Sequence, residues 1–219
     1  MLIVFEGIDG SGKGGQIRRL LAFFSQNKIR YKLHKYPTKK AKEAFAHLKG
    51  EKDVAPEKLA DVFADDIDAE RRRIEREISD GFVVICDRYL HSTLAYQGVS
   101  LGFAQLLRRL SGIDALVPDI VILLDVPARL SGERKRQQKT PDRFEKDIAF
   151  LEKVRANYLR EAREGFLAYK YAVVDASRGK DEVFSDVVLH VEPLVVKRMK
   201  NSRGNFAVAE RGSSTGMGK

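Results

Sequence analysis

The residues most able to do chemistry in this chain lie in the stretch FEGIDGSGKGGQ, residues 5–16. Gly7, Gly12 and Lys13 match the phosphate-binding pattern G-x-x-x-x-G-K. The match follows an apolar run and precedes a stretch of helical periodicity, so backbone N–H groups and a helix N-terminus can surround phosphate oxygens. We therefore predict a phosphate-binding loop in which Lys13 reaches the β and γ phosphates of a nucleotide. The alternative is a plain glycine-rich turn between strand and helix.

A second group of polar side chains begins at the end of another apolar run, in DRYLHSTLAYQG, residues 87–98. The carboxylate of Asp87 can hold a metal ion through water, and the guanidinium of Arg88 can bind a phosphate through paired hydrogen bonds. An Asp-Arg pair is also common as a surface ion pair. Both interpretations stay open when the motif is considered alone.

Basic residues cluster in the segment ERKRQQKTPDR, residues 133–143. Phosphoryl transfer needs positive charge around its anionic transition state, and a mobile lid often supplies that charge. A solvated helix face explains the same run equally well when the segment is considered alone. The basic residues are Arg134, Lys135, Arg136, Lys139 and Arg143.

The elements that position these motifs are short apolar runs that alternate with long stretches of helical periodicity. The runs predicted as strands are LIVF (2–5), YKLHKY (31–36), FVVIC (82–86), DIVILLD (119–125) and YAVVDA (171–176). Apolar strands separated by helices indicate an α/β, doubly wound fold with five parallel strands. Ligands bind at the carboxyl ends of such strands. The loops expected to lie together there are 6–13, 37–39, 87–98 and the segment after Asp125.

Composition limits the class of protein. The 219 residues carry a net charge of +9, and 43% of them are hydrophobic, which is enough for a substantial core. The basic balance favours phosphate-bearing partners, whereas heptads, Cys/His fingers and aromatic RNA-binding signatures are missing, so nucleic acid is a less favoured partner. No apolar run approaches the roughly 20 residues of a membrane span. The single cysteine, Cys86, and the lack of a basic leader favour a cytoplasmic protein.

In their order and spacing these motifs resemble those of thymidylate kinases, P-loop nucleoside monophosphate kinases that phosphorylate dTMP with ATP. The resemblance runs from Met1 to about Arg198. DRYLHSTLAYQG is its most specific part, because other nucleoside monophosphate kinases do not usually have this motif. The segments that carry the resemblance are FEGIDGSGK, DRYLHSTLAYQG, LLDVPARLSGERKRQQKTPDRFE and VVDAS.

The resemblance implies a single kinase domain over residues 1–199 with a lid at about 134–144. It also implies ATP and dTMP as substrates, Mg²⁺ as cofactor, and a homodimer built on the helices that flank the third strand. Residues 200–219 are rich in Gly and Ser and lack periodicity, so we predict a flexible basic tail there.

For the ATP side of the site, the resemblance implies that Arg134 lies against the adenine. The loop with Ser177 and Arg178 would line the adenine pocket, and Arg136 and Arg143 would be lid residues near the transferring phosphate. The implied ATP-binding residues are Gly7, Gly10, Ser11, Gly12, Lys13, Gly14, Gly15, Arg134, Ser177 and Arg178. The implied catalytic residues are Lys13, Arg88, Arg136 and Arg143.

For the acceptor side, the resemblance implies that Asp9 binds the sugar 3′-hydroxyl and that Phe63 stacks on the base. Tyr96 would pack under the sugar, where a 2′-hydroxyl would clash. Lys39 stands where the family has an arginine that binds the acceptor phosphate. The implied acceptor-binding residues are Asp9, Lys39, Phe63, Arg88, Thr93, Tyr96 and Gln97. Considered singly, Phe63 is more simply a core residue of its helix, and His91 is interpreted as a solvent-facing or packing residue rather than a catalyst.

The residue after Lys13 departs from the family pattern. Gly14 removes the hydroxyl that usually ligates Mg²⁺. Since Mg²⁺ keeps several waters, one carboxylate plus phosphate oxygens can anchor it. The candidate carboxylates are Asp87, acting through water, then Asp9 and Glu145.

Two further departures affect the base and the transition state. Ile67 stands where family members commonly carry an arginine that donates to thymine O4, so discrimination between bases should relax. Gly10 stands where some members have an arginine in the phosphate loop, so the lid is expected to supply that charge. Two rival interpretations stay open: a kinase of the same fold with a broader or different deoxynucleotide acceptor, and a catalytically weak relative that binds nucleotides or nucleic acid.

Overall fold

The computed structural model describes residues 1–136 and 148–212, with side chains for residues 1–134 and 148–200. Its centre is a five-stranded parallel sheet with the strand order β2-β3-β1-β4-β5. This confirms the predicted doubly wound α/β fold, and the strand ends differ from the predicted ones by no more than one residue. The strands are β1 (Leu2–Glu6), β2 (Tyr31–Lys35), β3 (Val83–Asp87), β4 (Ile120–Asp125) and β5 (Tyr171–Asp175).

The helices connect the strands and cover both faces of the sheet. Apolar residues at helical spacing explain their inward faces: α1 buries Ile17, Leu20 and Phe24. The helix α3 begins with Pro56, a residue favoured in the first turn because its missing N–H has no partner there. The helices are α1 (Lys13–Gln26), α2 (Lys42–Leu48), α3 (Pro56–Ser79), α4 (Leu90–Leu101), α5 (Phe103–Leu110), α6 (Ala128–Arg136), α7 (Ile148–Glu164) and α8 (Lys180–Gly212).

Two apolar cores lie on opposite faces of the sheet, because successive side chains of a strand point to opposite sides. In β1, Ile3 and Phe5 join the core shared with α1, α7 and α8. Leu2 and Val4 join the core shared with α3, α4 and α5. The central strand β1 is therefore buried along its whole length, and its carboxyl end opens into the phosphate-binding loop.

The helix α8 continues to Gly212, which differs from the aperiodic tail predicted to begin at residue 200. The stretch NFAVAER, residues 205–211, contains good helix formers, so local propensity favours the extension although the stretch has no amphipathic period. Residues 213–219 lie outside the described part of the chain. Among the described residues, no helix is both long and apolar enough to cross a membrane.

Candidate active site

The predicted phosphate-binding loop joins β1 to α1 and depends on glycine at Gly7. This residue has φ +137, and a Cβ there would lie 2.5 Å from the backbone oxygen of Leu124. Gly12, the N-cap of α1, has φ 93 and caps the helix without a side chain. Both positions have a backbone conformation that residues with a side chain rarely adopt. Because no side chain stands in the way, the N–H groups of the loop can come close to phosphate oxygens.

The side chain of Lys13 folds back over this loop. Its ammonium donates hydrogen bonds to the backbone oxygens of Gly7 at 2.5 Å and Ile8 at 3.1 Å. Burial, followed by the positive charge of Arg88, lowers the pKa of Lys13 to about 8, against the opposing effect of nearby carboxylates. Lys13 is thus held on the loop by hydrogen bonds. An anion that binds beside it would favour its protonated form.

The absence of a side chain at Gly14 is not enforced by crowding. A Cβ there would meet only the Nη1 atom of Arg18, at 3.6 Å, and a Cβ at Gly15 would meet nothing within 4 Å. The space around the first turn of α1 therefore admits the hydroxyl residue that the pattern normally has.

Arg88 follows β3 and reaches back to the phosphate-binding loop. Its guanidinium forms an ion pair with Asp9 and donates to the hydroxyls of Ser92 at 3.0 Å and Tyr158 at 3.4 Å. Burial opposes its charge, yet the nearby Asp9 carboxylate outweighs that effect together with other groups and raises the pKa of Arg88. Arg88 therefore keeps its positive charge and can bind an anionic ligand.

Asp9 and Tyr96, both predicted for the acceptor side, are in contact. The N–H of Asp9 donates to the hydroxyl of Tyr96 at 3.3 Å, and that hydroxyl donates to the Asp9 carboxylate at 3.4 Å. The ring of Tyr96 lies under the guanidinium of Arg88, 5.4 Å from the guanidinium carbon to the ring centre. The structure thus brings Asp9, Arg88 and Tyr96 together, as the strand-end rule predicted.

Glu6, the last residue of β1, is a central member of this site that the sequence analysis did not identify. Its side chain is fully buried and accepts hydrogen bonds from Tyr89, Ser92 and Tyr158. Burial raises the pKa of Glu6, and Arg88 is the strongest of the opposing influences. The sequence does contain a signal for Glu6: it is a charged residue at the end of an apolar strand. A carboxylate buried in such a place needs hydrogen-bond partners, so it indicates a polar network there.

The remaining acceptor-side residues lie on α3, α4 and the loop after β2. Phe63 is half-buried and belongs to neither apolar core, so the simpler interpretation as a core residue does not hold. Thr93 and Gln97 are buried, and among the described residues the Oε1 atom of Gln97 has no hydrogen-bond partner. Lys39 is exposed on its loop. Ile67 is 2% exposed and packs in the core with α4 and α5.

The helix α6, which leads into the predicted lid, is fastened to two loops of the site. The hydroxyl of Ser131 donates to the backbone oxygen of Asp9. The guanidinium of Arg134 donates to the backbone oxygens of Ala176 at 2.8 Å and Ser177 at 3.2 Å. Arg134 therefore lies at the loop after β5, where an adenine-side residue was predicted.

Two other residues predicted for the ATP side bond to neighbouring acidic residues, and the predicted lid residues after Arg134 lie outside the described side chains. Arg178 forms an ion pair with Asp186 at the start of α8, and Ser177 donates to the carboxylate of Asp175 at 2.6 Å. Outside the described side chains lie Lys135, Arg136, Lys139, Arg143 and Glu145.

Asp87 ends β3, and its carboxylate lies 3.9 Å from the ammonium of Lys35. In the described part of the chain, no three His, Cys, Asp or Glu residues form a group that could hold a metal ion. The single carboxylate of Asp87 fits Mg²⁺ that is bound through one carboxylate, water and phosphate oxygens. It does not fit a cage built by the protein alone.

His91 packs in the interior, which is one of the two positions, solvent-facing or packed, that the sequence left open. It is fully buried, and its Nε2 atom lies 3.1 Å from the backbone oxygen of Phe166. Rings of Tyr89, Phe166 and Tyr171 surround it at 5.3–6.2 Å between centres. Burial lowers the pKa of His91 to about 4, so the residue is neutral in the folded protein at physiological pH.

Comparison with known proteins agrees with this geometry. The model of a family described as thymidylate kinase matches residues 5–187. A probable thymidylate kinase from Pyrobaculum aerophilum is 36% identical over 197 residues, covering 88% of this chain and 97% of the relative. One from Thermococcus onnurineus is 34% identical, covering 90% of this chain and all of the relative. A thymidylate kinase from Chromobacterium violaceum is 31% identical, covering 88% and 94%. These comparisons do not support either rival interpretation.

Proposed function

The chain belongs to the thymidylate kinase family and is therefore a phosphotransferase, and we propose that it converts ATP and dTMP to ADP and dTDP. The observation that carries the proposal is the cluster of Asp9, Arg88 and Tyr96, which includes a residue of the same loop over which Lys13 folds. The cluster combines a phosphate-binding loop with a guanidinium and a carboxylate that suit a second, nucleotide-sized anion. Chemistry of this class depends mainly on positioning and electrostatic stabilisation.

On the donor side, Lys13 leaves the oxygens of Gly7 and Ile8 and binds the β and γ phosphates of ATP. The backbone N–H groups of the loop complete the cradle. Arg134 and Ser177 border the adenine, which agrees with their hydrogen-bonded contact between α6 and the loop after β5. Arg136 and Arg143 of the predicted lid supply further charge to the transferring phosphoryl group.

On the acceptor side, Arg88 and Lys39 bind the phosphate of dTMP. Asp9 accepts from the sugar 3′-hydroxyl, and Tyr96 closes the space that a ribose 2′-hydroxyl would need. Phe63 stacks on the base. Thr93 and Gln97 border the base. The Oε1 atom of Gln97, which has no hydrogen-bond partner in the described part of the chain, is an acceptor suited to an N–H group.

Mg²⁺ fits this site as a cofactor held by phosphate oxygens and water, with Asp87 as the anchoring carboxylate and Asp9 as a second candidate. When bound, it neutralises charge on the β and γ phosphates. Gly14 contributes no ligand. We also propose a homodimer and a cytoplasmic location; both rest on the family resemblance and on the sequence.

The test is ADP release from ATP and Mg²⁺ with dTMP, dUMP, dCMP, dGMP, dAMP and their ribose counterparts. We expect dTMP to give the highest kcat/KM and the ribonucleotides to give far lower values. Lys13→Met should lower kcat by about 10²-fold or more, since it removes a positive charge from the transition state. The lack of dTMP-dependent ADP release by the folded wild type would overturn the proposal.

A further inference from the structure

We infer that Glu6 is a positioning residue for Arg88: its buried carboxylate holds the loop that presents this arginine to the acceptor phosphate. The identity of that phosphate rests on the proposed function. The positioning itself rests on contacts within the chain, and these join the end of β1 to the start of α4 and to α7.

Both oxygens of the Glu6 carboxylate are fully used. The Oε1 atom accepts from the N–H groups of Tyr89 at 2.7 Å and Ser92 at 3.2 Å. The Oε2 atom accepts from the hydroxyls of Ser92 at 2.7 Å and Tyr158 at 2.9 Å. Four donors around one carboxylate suit its ionised form, which only accepts.

The loop held by Glu6 needs outside support. Arg88 has φ 73, in the left-handed region that residues other than glycine rarely adopt. Such a conformation persists where the surroundings hold it. Tyr89 is the N-cap of α4 but makes no capping hydrogen bond of its own. Glu6 supplies the missing acceptor from another strand, and its negative charge suits a helix N-terminus.

Glu6 also acts on the Arg88 side chain through two hydroxyls. The hydroxyls of Ser92 and Tyr158 both lie within hydrogen-bond distance of the Glu6 carboxylate, and their oxygens lie 2.9 Å from each other. Both oxygens accept from the Arg88 guanidinium. A hydroxyl that donates its proton to the carboxylate keeps its oxygen available to accept from Arg88, so the carboxylate favours the orientation that supports this arginine. Because Tyr158 lies on α7, which follows the predicted lid in the sequence, the network also connects that helix to the acceptor side.

A purely structural role for Glu6 gives a different expectation. A buried carboxylate that only supported the fold would affect stability, and its removal would disturb ATP and dTMP binding alike. A positioning residue affects dTMP selectively, and its effect disappears once Arg88 has been replaced. These two patterns can be separated by measurement.

The experiment compares wild type with Glu6→Gln, Tyr158→Phe, Arg88→Lys and the double variant Glu6→Gln/Arg88→Lys. Tyr171→Phe is the matched control, because its hydroxyl donates to Phe166 outside the network. We expect Glu6→Gln to raise the KM for dTMP about tenfold while the KM for ATP stays within about twofold. Tyr158→Phe should act in the same direction, and Tyr171→Phe should change neither value.

The double variant is the decisive arm. If Glu6 acts through Arg88, the loss in the double variant is smaller than the product of the two single losses. Equal losses for both substrates, or fully multiplicative losses, would overturn the inference. Should Glu6→Gln fail to fold, Tyr158→Phe combined with Arg88→Lys decides the question in the same way.

A readout without activity separates this inference from the proposed function. In ¹⁵N NMR, the Nε–H signal of Arg88 should shift or broaden in Glu6→Gln and remain in place in Tyr171→Phe. If the wild type does not phosphorylate dTMP, the proposed function fails while this signal still decides the positioning role. An unchanged Arg88 signal in folded Glu6→Gln would overturn that role.

Discussion

The hydroxyl of Ser131 on α6 donates a hydrogen bond to the backbone oxygen of Asp9 in the phosphate-binding loop. Ser131 is 1% exposed, so water cannot replace this bond without rearrangement. The helix that leads into the predicted lid is therefore fastened to the residue that pairs with Arg88. The predicted donor and acceptor sides of the site meet at this bond.

Replacing Ser131 with alanine should weaken that connection. The backbone oxygen of Asp9 would lose a buried donor, so we expect Ser131→Ala to lower the free energy of unfolding by about 1–2 kcal/mol. We also expect a fall in kcat, because the loop and the lid helix would no longer share a fixed position. Urea denaturation and steady-state kinetics measure both effects. Ser185→Ala is the control, since the hydroxyl of Ser185 donates to the backbone oxygen of Asp181 within α8, and an equal loss there would contradict the prediction.

The missing hydroxyl at Gly14 gives a test of how Mg²⁺ is held. We expect Gly14→Thr to lower the Mg²⁺ concentration at half-maximal rate, because the threonine hydroxyl adds a ligand to a site that has space for it. The wild type should already turn over with Mg²⁺. Gly14→Val, which has the same shape without the hydroxyl, should leave the Mg²⁺ dependence unchanged. Equal effects of the two variants would mean that shape rather than ligation is responsible.

Alanine substitutions at Gly15, in α1, and at Gly7, in the loop, should change the free energy of unfolding in opposite directions. Gly15 lies inside α1 with open space around it, so Gly15→Ala should raise the free energy of unfolding by about 1 kcal/mol. At Gly7 the new methyl group would meet the oxygen of Leu124 at 2.5 Å in an unfavourable backbone conformation. Gly7→Ala should therefore cost about 2 kcal/mol or more. Thermal or urea unfolding of the pair checks both signs.

His91 should make the folded state sensitive to acid. The unfolded chain takes up a proton at this residue below its usual pKa of 6.5, whereas burial lowers the pKa in the folded chain to about 4. The free energy of unfolding should therefore fall as the pH drops through this window. The contribution is about 3 kcal/mol once the pH is below 4.

The measurement is urea denaturation of wild type and His91→Gln between pH 7 and 4. The difference in unfolding free energy between the two proteins should change in favour of the variant as the pH falls. His190→Gln, on α8, is the matched control. A constant difference between wild type and His91→Gln would show that the imidazole is not held neutral.

Glu161 should have the opposite pH dependence. It is fully buried on α7, and neither carboxylate oxygen has a hydrogen-bond partner among the described residues. Burial, followed by the charge of Glu6, raises the pKa of Glu161 well above 4.5. The folded chain thus keeps a proton that the unfolded chain loses, and the free energy of unfolding falls as the pH rises above 4.5.

Glu161→Gln cannot lose a proton and should escape this fall. We expect the variant to gain on the wild type in unfolding free energy as the pH rises from 5 to 8, by at most about 1.4 kcal/mol for each pH unit. Glu164→Gln, an exposed position on the same helix, should show no such trend. A wild-type advantage that grows with pH would mean that Glu161 is ionised and stabilised in the fold.

The regular elements and the loops of the site could be predicted from the sequence because their signals are local. The strands that we predicted from apolar runs begin and end within one residue of the strands in the sheet. The rule that ligands meet strands at their carboxyl ends then brought Asp9, Arg88 and Tyr96 to one place. The extension of α8 beyond residue 200 was missed because its signal is helix propensity without an apolar period.

The tertiary structure alone determined the partners of the buried polar groups. Glu6 meets Tyr158 across 152 positions of the chain, and Ser131 meets Asp9 across 122. No periodicity relates residues so far apart, because a buried carboxylate or hydroxyl is satisfied by whichever donor the packing of other elements brings near. The sequence by itself therefore predicted where phosphates bind. Only the fold decided how Arg88 is held at that place.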